Sequence, residues 1–122
     1  MMPKFLLLVT HDPAIAQLNF MEFYEAGFVL YSAGSLREAT TLLQQRPVDL
    51  LLVDLQPQAR EAIQFCQEAK AANSRLKAGF LAAPDQSLPA NSADFLVIRE
   101  QFRGNALQEL RKALGRMSGA PG

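Results

Sequence analysis

Residues 46–55 read Arg46-Pro47-Val48-Asp49-Leu50-Leu51-Leu52-Val53-Asp54-Leu55, and Asp49 to Asp54 is the clearest strand in the chain. A strand with one wet face alternates apolar and polar side chains. An unbroken aliphatic run closed off by prolines, here Pro47 and Pro57, fits a strand covered on both sides. Such cover is supplied by helices, so this stretch alone points towards a layered α/β protein.

Working outward, the same grammar repeats. Upstream, Phe5-Leu-Leu-Leu-Val9 is a second buried run. Asp12 can cap a helix and Pro13 falls at its first position, where a missing N–H costs nothing. That helix is expected to run to about Ala26, with Gly27 as a left-handed stop. Phe28 to Ser32 follows as a strand. Ser35 and Glu38 then form a capping box, opening a helix with Leu36, Ala39 and Leu43 on one face.

Downstream, a helix carrying Ile63, Cys66 and Ala69 extends to about Asn73, and Lys77–Ala82 is a fourth strand weakened by Gly79. Residues 84–92 are poor helix material because Pro89 interrupts them. Phe95–Ile98 is a fifth strand. The last helix spans about Gly104 to Arg116, with Leu107, Leu110 and Leu114 aligned, and residues 118–122 read as a flexible tail behind a single domain over 1–117.

Strands alternating with helices imply a parallel sheet with right-handed crossovers. The expectation is one doubly wound, flavodoxin-like, five-stranded sheet in the order 2-1-3-4-5. Helices should lie on both faces, with the one between strands 4 and 5 short or irregular. Sites in such sheets lie at the carboxyl ends of the strands. This selects Thr10, His11 and Asp12, Asp54, Ala82 and Ala83, and Ile98 and Arg99.

Composition narrows the function. The 122 residues carry 12 Lys plus Arg against 12 Asp plus Glu. Zero net charge offers no field for nucleic acid or an anionic membrane. The single cysteine, Cys66, excludes an intramolecular disulfide and suits a reducing compartment. The opening apolar run is too short for a signal-peptide core or a membrane span, so a cytoplasmic protein is expected.

In this order and at these spacings the chain resembles the receiver domain of bacterial response regulators, over residues 4–115. Leu-Leu-Val-Thr-His-Asp-Pro (7–13) is similar to the end of the family's first strand. Glu-Ala-Gly-Phe-Val (25–29) is similar to the passage into strand 2. Residues 46–55 are similar to strand 3 with its phospho-accepting aspartate, here Asp54. Ala-Asp-Phe-Leu-Val-Ile (93–98) is similar to the approach to strand 5.

The departures bear on chemistry. The family's acidic pair falls on Thr10 and His11, its strand-4 hydroxyl on Ala82 or Ala83, and its lysine–proline pair on Ile98 and Arg99. The resemblance implies Mg²⁺ held by the acidic pair, the acceptor aspartate and a carbonyl. Mg²⁺ requires oxygen ligands in near-octahedral array, and Asp54 is expected to stand as a lone exposed carboxylate. Asp12 either caps its helix or bends in as a second ligand. His11 is a loop residue, a poor ligand for Mg²⁺. Strand alternation directs Arg99 to the opposite face unless the strand end twists, and alanine has nothing to donate to a phosphoryl oxygen.

The reading is therefore a stand-alone pseudo-receiver, not an enzyme, with Asp54 as a vestigial phospho-acceptor and no metal or cofactor. Its partners would be proteins: a histidine kinase, a phosphotransfer or other signalling protein, or a second copy of the chain. The alternative is an atypical phospho-receiver using Asp54, Asp12 and Arg99, with Mg²⁺ at Asp54 and Asp12. A small-molecule enzyme on this scaffold lacks any Gly-rich phosphate loop or nucleophile elbow. Cys66, among Ile63 and Ala69, reads as a buried thiol.

The first helix offers a candidate partner surface. With Ile15, Leu18 and Ala26 inward and Phe23 at the margin, Phe20 and Tyr24 lie outside, flanked by Met21, while Asn19 and Glu22 approach the inner face. A rotated helix would instead bury Phe20 and expose the polar pair. Both arrangements are open.

Overall fold

The computed structural model describes residues 2–118; the expected tail falls almost wholly on residues 119–122, outside the described residues. Five strands form one sheet: β1 (Lys4–Val9), β2 (Phe28–Ala33), β3 (Leu50–Asp54), β4 (Lys77–Ala82) and β5 (Phe95–Ile98). All pairings are parallel, in the order β2-β1-β3-β4-β5. Six helices accompany them: α1 (Pro13–Ala16), α2 (Phe20–Glu25), α3 (Leu36–Gln45), α4 (Ala59–Ala72), α5 (Arg99–Gly104) and α6 (Ala106–Ser118). The doubly wound architecture and strand order are those expected.

Successive strand residues point to opposite faces, so β1 feeds two cores. Leu6 and Leu8 join Ile15, Phe23, Phe102 and Leu110 beneath α1, α2, α5 and α6. Leu7 and Val9 join Ala39, Ala62, Cys66 and Phe80 beneath α3 and α4. All five residues of β3 are buried, as a central strand covered on both faces requires.

Several start and stop signals act as the sequence implies. The Asp12 side chain accepts from Ala14 N at 2.9 Å, and Ser35 Oγ accepts from Glu38 N at 3.1 Å. Gly27 adopts φ +96°, the left-handed conformation that ends α2. Gly79 is more than a weak strand residue: a Cβ there would lie 2.4 Å from the Phe95 ring, so the bare backbone is the seat on which Phe95 packs.

Two expectations are corrected. The helix expected over 13–26 is two helices. Gln17 ends the first, and Asn19 starts the second by accepting from Glu22 N at 3.1 Å. Asparagine caps a new helix better than it continues one, and the break resets the helical phase. Phe23 moves from the margin to the centre of the core at 1% exposure, and Asn19 and Glu22 face solvent rather than the sheet. Phe20, Met21 and Tyr24 stay outside, 53%, 66% and 61% exposed, which resolves the choice of rotation.

The terminal helix also divides. α5 starts directly after β5 and buries Phe102, and Asn105 separates it from α6. The segment read as poor helix material behaves as expected: residues 83–94 between β4 and β5 form no helix. Pro84 and Pro89 each lack an N–H, and Leu88 and Ala93 cover the sheet from a loop instead.

Candidate functional site

The carboxyl edge of the sheet brings together Thr10 at the end of β1, Asp54 at the end of β3 and Arg99 at the start of α5. Asp54 is neither lone nor exposed; its side chain is 1% exposed. Oδ2 accepts from the Thr10 hydroxyl at 2.7 Å, and Oδ1 accepts from the Gln56 backbone N–H at 3.1 Å. Arg99 Nε lies across both oxygens, at 3.1 and 3.2 Å. The same guanidinium donates through Nη2 to Asp12 Oδ2 at 2.8 Å.

Of the two directions open to Arg99, the turn at the strand end decides, for a simple reason. Alternation applies only to strand residues, and Arg99 is already helical. Ile98 is the N-cap, with φ −74° and ψ 121°. The turn into α5 redirects the next side chain over the sheet edge, where two carboxylates meet it.

Asp12 does two jobs with two oxygens, capping α1 with Oδ1 and meeting Arg99 with Oδ2. Thr10 Oγ1 also accepts from Asp12 N at 3.1 Å. The Ala14 N–H, and then the Arg99 guanidinium, hold the Asp12 carboxyl below the usual carboxylate range against a modest burial effect. Burial works against the charge on Arg99, but Asp54 and then Asp12 outweigh it and raise its pKa further. Arginine is charged at any ordinary pH, so this cluster keeps its cation throughout.

The other expected positions are quieter. His11 is exposed beside a cleft of about 20 Å³ that Thr10, Asp54, Gln56 and Pro57 also line, room for roughly one water. Ala82 is buried and Ala83 partly so; their methyl groups donate nothing. Ile98 is half-buried and apolar. Phe20, Met21 and Tyr24 sit on α2, on the exposed side of the other core. Cys66 is fully buried, and burial pushes its thiol up to about 12.

With Arg99 in place the oxygen set does not suit Mg²⁺. A hydroxyl and an imidazole replace an acidic pair, and both carboxylates within reach are engaged by a guanidinium. Among the described residues no group of three or more His, Cys, Asp or Glu side chains could hold a metal.

Two features were missed in the sequence. Thr10 counted only as an absent carboxylate, although a hydroxyl at that strand end can donate to the neighbouring strand's aspartate. Asp94, in the loop before β5, accepts from Lys70 Nζ at 2.5 Å and from Ala78 N at 2.9 Å. Burial pushes the Asp94 carboxyl up, but Lys70 and the Ala78 N–H outweigh it and leave it below its ordinary value. The pairing links residues 24 apart, which no local pattern announces.

No protein-family model matches the chain, and no curated protein matches its sequence. Solved structures do match its shape. The chemotaxis response regulator CheY4 of Vibrio cholerae superposes with a TM-score of 0.73 at 15% identity, over 91% of this chain and 98% of that one. The response regulator TrrA of Thermotoga maritima, in complex with Mg²⁺ and BeF, gives 0.71 at 24% identity, over 91% and 98%. TrrA in complex with the histidine kinase ThkA gives 0.70 at 20%, over the same shares. The chain therefore has the CheY-like receiver fold across most of its length.

Among the described residues no helix is long and apolar enough to cross a membrane.

Proposed function

We propose that this chain is a pseudo-receiver: a non-enzymatic, phosphorylation-independent protein-interaction module in bacterial two-component-type signalling. One observation carries the reading. Both oxygens of Asp54 are engaged in a partly buried ion pair with Arg99 and are further bonded by Thr10 and Gln56. Phosphoryl transfer to a carboxylate needs a free oxygen in line with the donor, and a cation that meets the phosphoryl charge as it arrives. Here the carboxylate is spent on a protein donor set.

The partner is a protein, and the surface offered is the exposed Phe20, Met21 and Tyr24 of α2. TrrA, a protein of the same fold, is known with its histidine kinase, which makes a signalling protein the class to test first. A reducing cytoplasmic setting suits the single buried Cys66.

A second reading is favoured by the contact of Arg99 with both Asp54 and Asp12: an atypical phospho-receiver in which the guanidinium stabilises the incoming charge. Acetyl phosphate with Mg²⁺ separates the two. The expected result is no phosphorylated species by intact mass or phosphate-affinity electrophoresis. An adduct on the wild type that vanishes in Asp54→Asn would overturn the pseudo-receiver reading. For the partner surface, capture by a bait of this chain should fail in Phe20→Asp/Tyr24→Asp while its thermal midpoint stays put; unchanged capture would acquit α2.

A further inference from the structure

We propose that Arg99 is a tethered cation that occupies the position between Asp54 and Asp12, and that its removal alone would make this edge of the sheet responsive to divalent ions. The proposal rests on the pseudo-receiver reading and explains how the site is held shut.

Two carboxylates from separate parts of the chain converge on one guanidinium. Nε is 3.1 and 3.2 Å from the Asp54 oxygens, and Nη2 is 2.8 Å from Asp12 Oδ2. Both contacts use the planar fork of arginine, which a lysine ammonium, as a single point charge, cannot match. Thr10 adds a third oxygen beside them, donating to Asp54 Oδ2 and accepting from the Asp12 backbone N–H. Taken without Arg99, the cluster carries two negative charges and three oxygen-bearing side chains around one small space. A hard divalent cation, completing its shell with water, takes such a donor set. With Arg99 in place the same ion would have to displace a group bound through three short contacts and then sit beside its charge.

A tethered cation differs from a mobile one in consequence. It cannot dissociate, and it cannot lose its proton at any ordinary pH. It is also the first residue of α5, whose Phe102 is fully buried in the core beneath α1, α2 and α6. The ends of β1 and β3 and the start of α5 are thus fixed in one arrangement, whatever ions or phosphoryl donors are present.

The test uses Mn²⁺ and Mg²⁺ as probes on the full chain. Thermal unfolding is followed in EDTA and in millimolar metal, and free Mn²⁺ is counted by electron paramagnetic resonance. The wild type should show the same midpoint with and without metal and bind no Mn²⁺. Arg99→Ala should melt lower in EDTA, recover on adding metal, and bind one Mn²⁺ with a Kd on the order of 1 mM. Arg99→Ala/Asp54→Asn should lose that response.

Equal metal response in wild type and Arg99→Ala, or none in Arg99→Ala, overturns the proposal. Should Arg99→Ala fold under neither condition, Arg99→Gln, which keeps hydrogen-bonding length and drops the charge, is judged by the same two criteria. The pseudo-receiver reading fails separately, on an Asp54 adduct in the wild type. A wild type that takes no phosphoryl group beside a metal-blind Arg99→Ala would sink this inference alone.

Discussion

The Asp54–Arg99 pair should show a large energetic coupling, measurable by a double-mutant cycle with Asp54→Ala, Arg99→Ala and the double variant. Removing Asp54 takes away the carboxylate that Nε straddles and the acceptor of the Thr10 hydroxyl. A hydrogen bond to a charged group contributes about 1.5–3 kcal/mol, and breaking a buried ion pair from one side costs about 3–5 kcal/mol. The lower part of these ranges applies, because the Arg99 side chain is 14% exposed and keeps Asp12 as a second partner. Asp54→Ala should therefore cost about 3 kcal/mol, with about 2 kcal/mol of coupling to Arg99. Urea unfolding resolves this: with a slope of about 1.5 kcal/mol per molar, Asp54→Ala lowers the midpoint by about 2 M. The double variant should then be less destabilised than the sum of the singles. Coupling below about 0.5 kcal/mol would place the pair among weak surface contacts and remove the physical basis for a locked site.

Three further outcomes follow from particular contacts. Gly79→Ala drives a Cβ into the Phe95 ring at 2.4 Å and should cost about 1–3 kcal/mol in urea unfolding, with partial recovery in Gly79→Ala/Phe95→Leu; a neutral Gly79→Ala would show that the seat yields freely. The Asp94 and Asp12 carboxyls are depressed, so their stabilisation is present above about pH 4 and lost as pH falls through their folded values. The urea midpoint should drop from pH 6 to pH 3, and less so in Asp94→Asn; an identical drop would remove Asp94 from the account. Cys66, fully buried and with its pKa pushed up to about 12, should react with a thiol reagent at mildly alkaline pH more than about 100-fold slower in the native state than in urea.

The fold was legible because burial on both faces writes itself locally: the runs at Leu50–Val53 and Leu6–Val9, bounded by turn signals, read as interior strands. Gly27, Asp12 and Ser35 mark ends through one-residue chemistry. The break at Asn19 was readable in principle, since Asn19 and Glu22 stand at capping-box spacing, but a periodic apolar face from Ile15 to Ala26 outweighed it. The site was legible only as positions. That Asp54, Asp12 and Arg99 meet depends on where β5 stops, and that boundary carries no signal: Ile98 caps α5 without a side-chain hydrogen bond. An error of one residue there reverses the direction of Arg99, and with it the electrostatics of Asp54.

The clamp and the missing helix belong to one structural argument. β5 is a four-residue edge strand, and with a loop over 83–94 in place of a crossover helix, Leu96 is left 40% exposed on its outer face. Pairing with β4 alone would hold such a strand poorly. Three anchors compensate along its length. Asp94 binds Lys70 and both donates to and accepts from Ala78 at the entry, Phe95 presses onto Gly79, and Arg99 fastens the exit to Asp54 and Asp12. Apolar residues at the exit could pack as densely, but they would not fix direction; a guanidinium held between two carboxylates does. Among the described residues no buried side-chain polar atom lacks a hydrogen bond, so this polar edge offsets its own desolvation. The contacts that engage Asp54 are therefore the same ones that hold the last strand in the sheet, and freeing the carboxylate would loosen β5 as well.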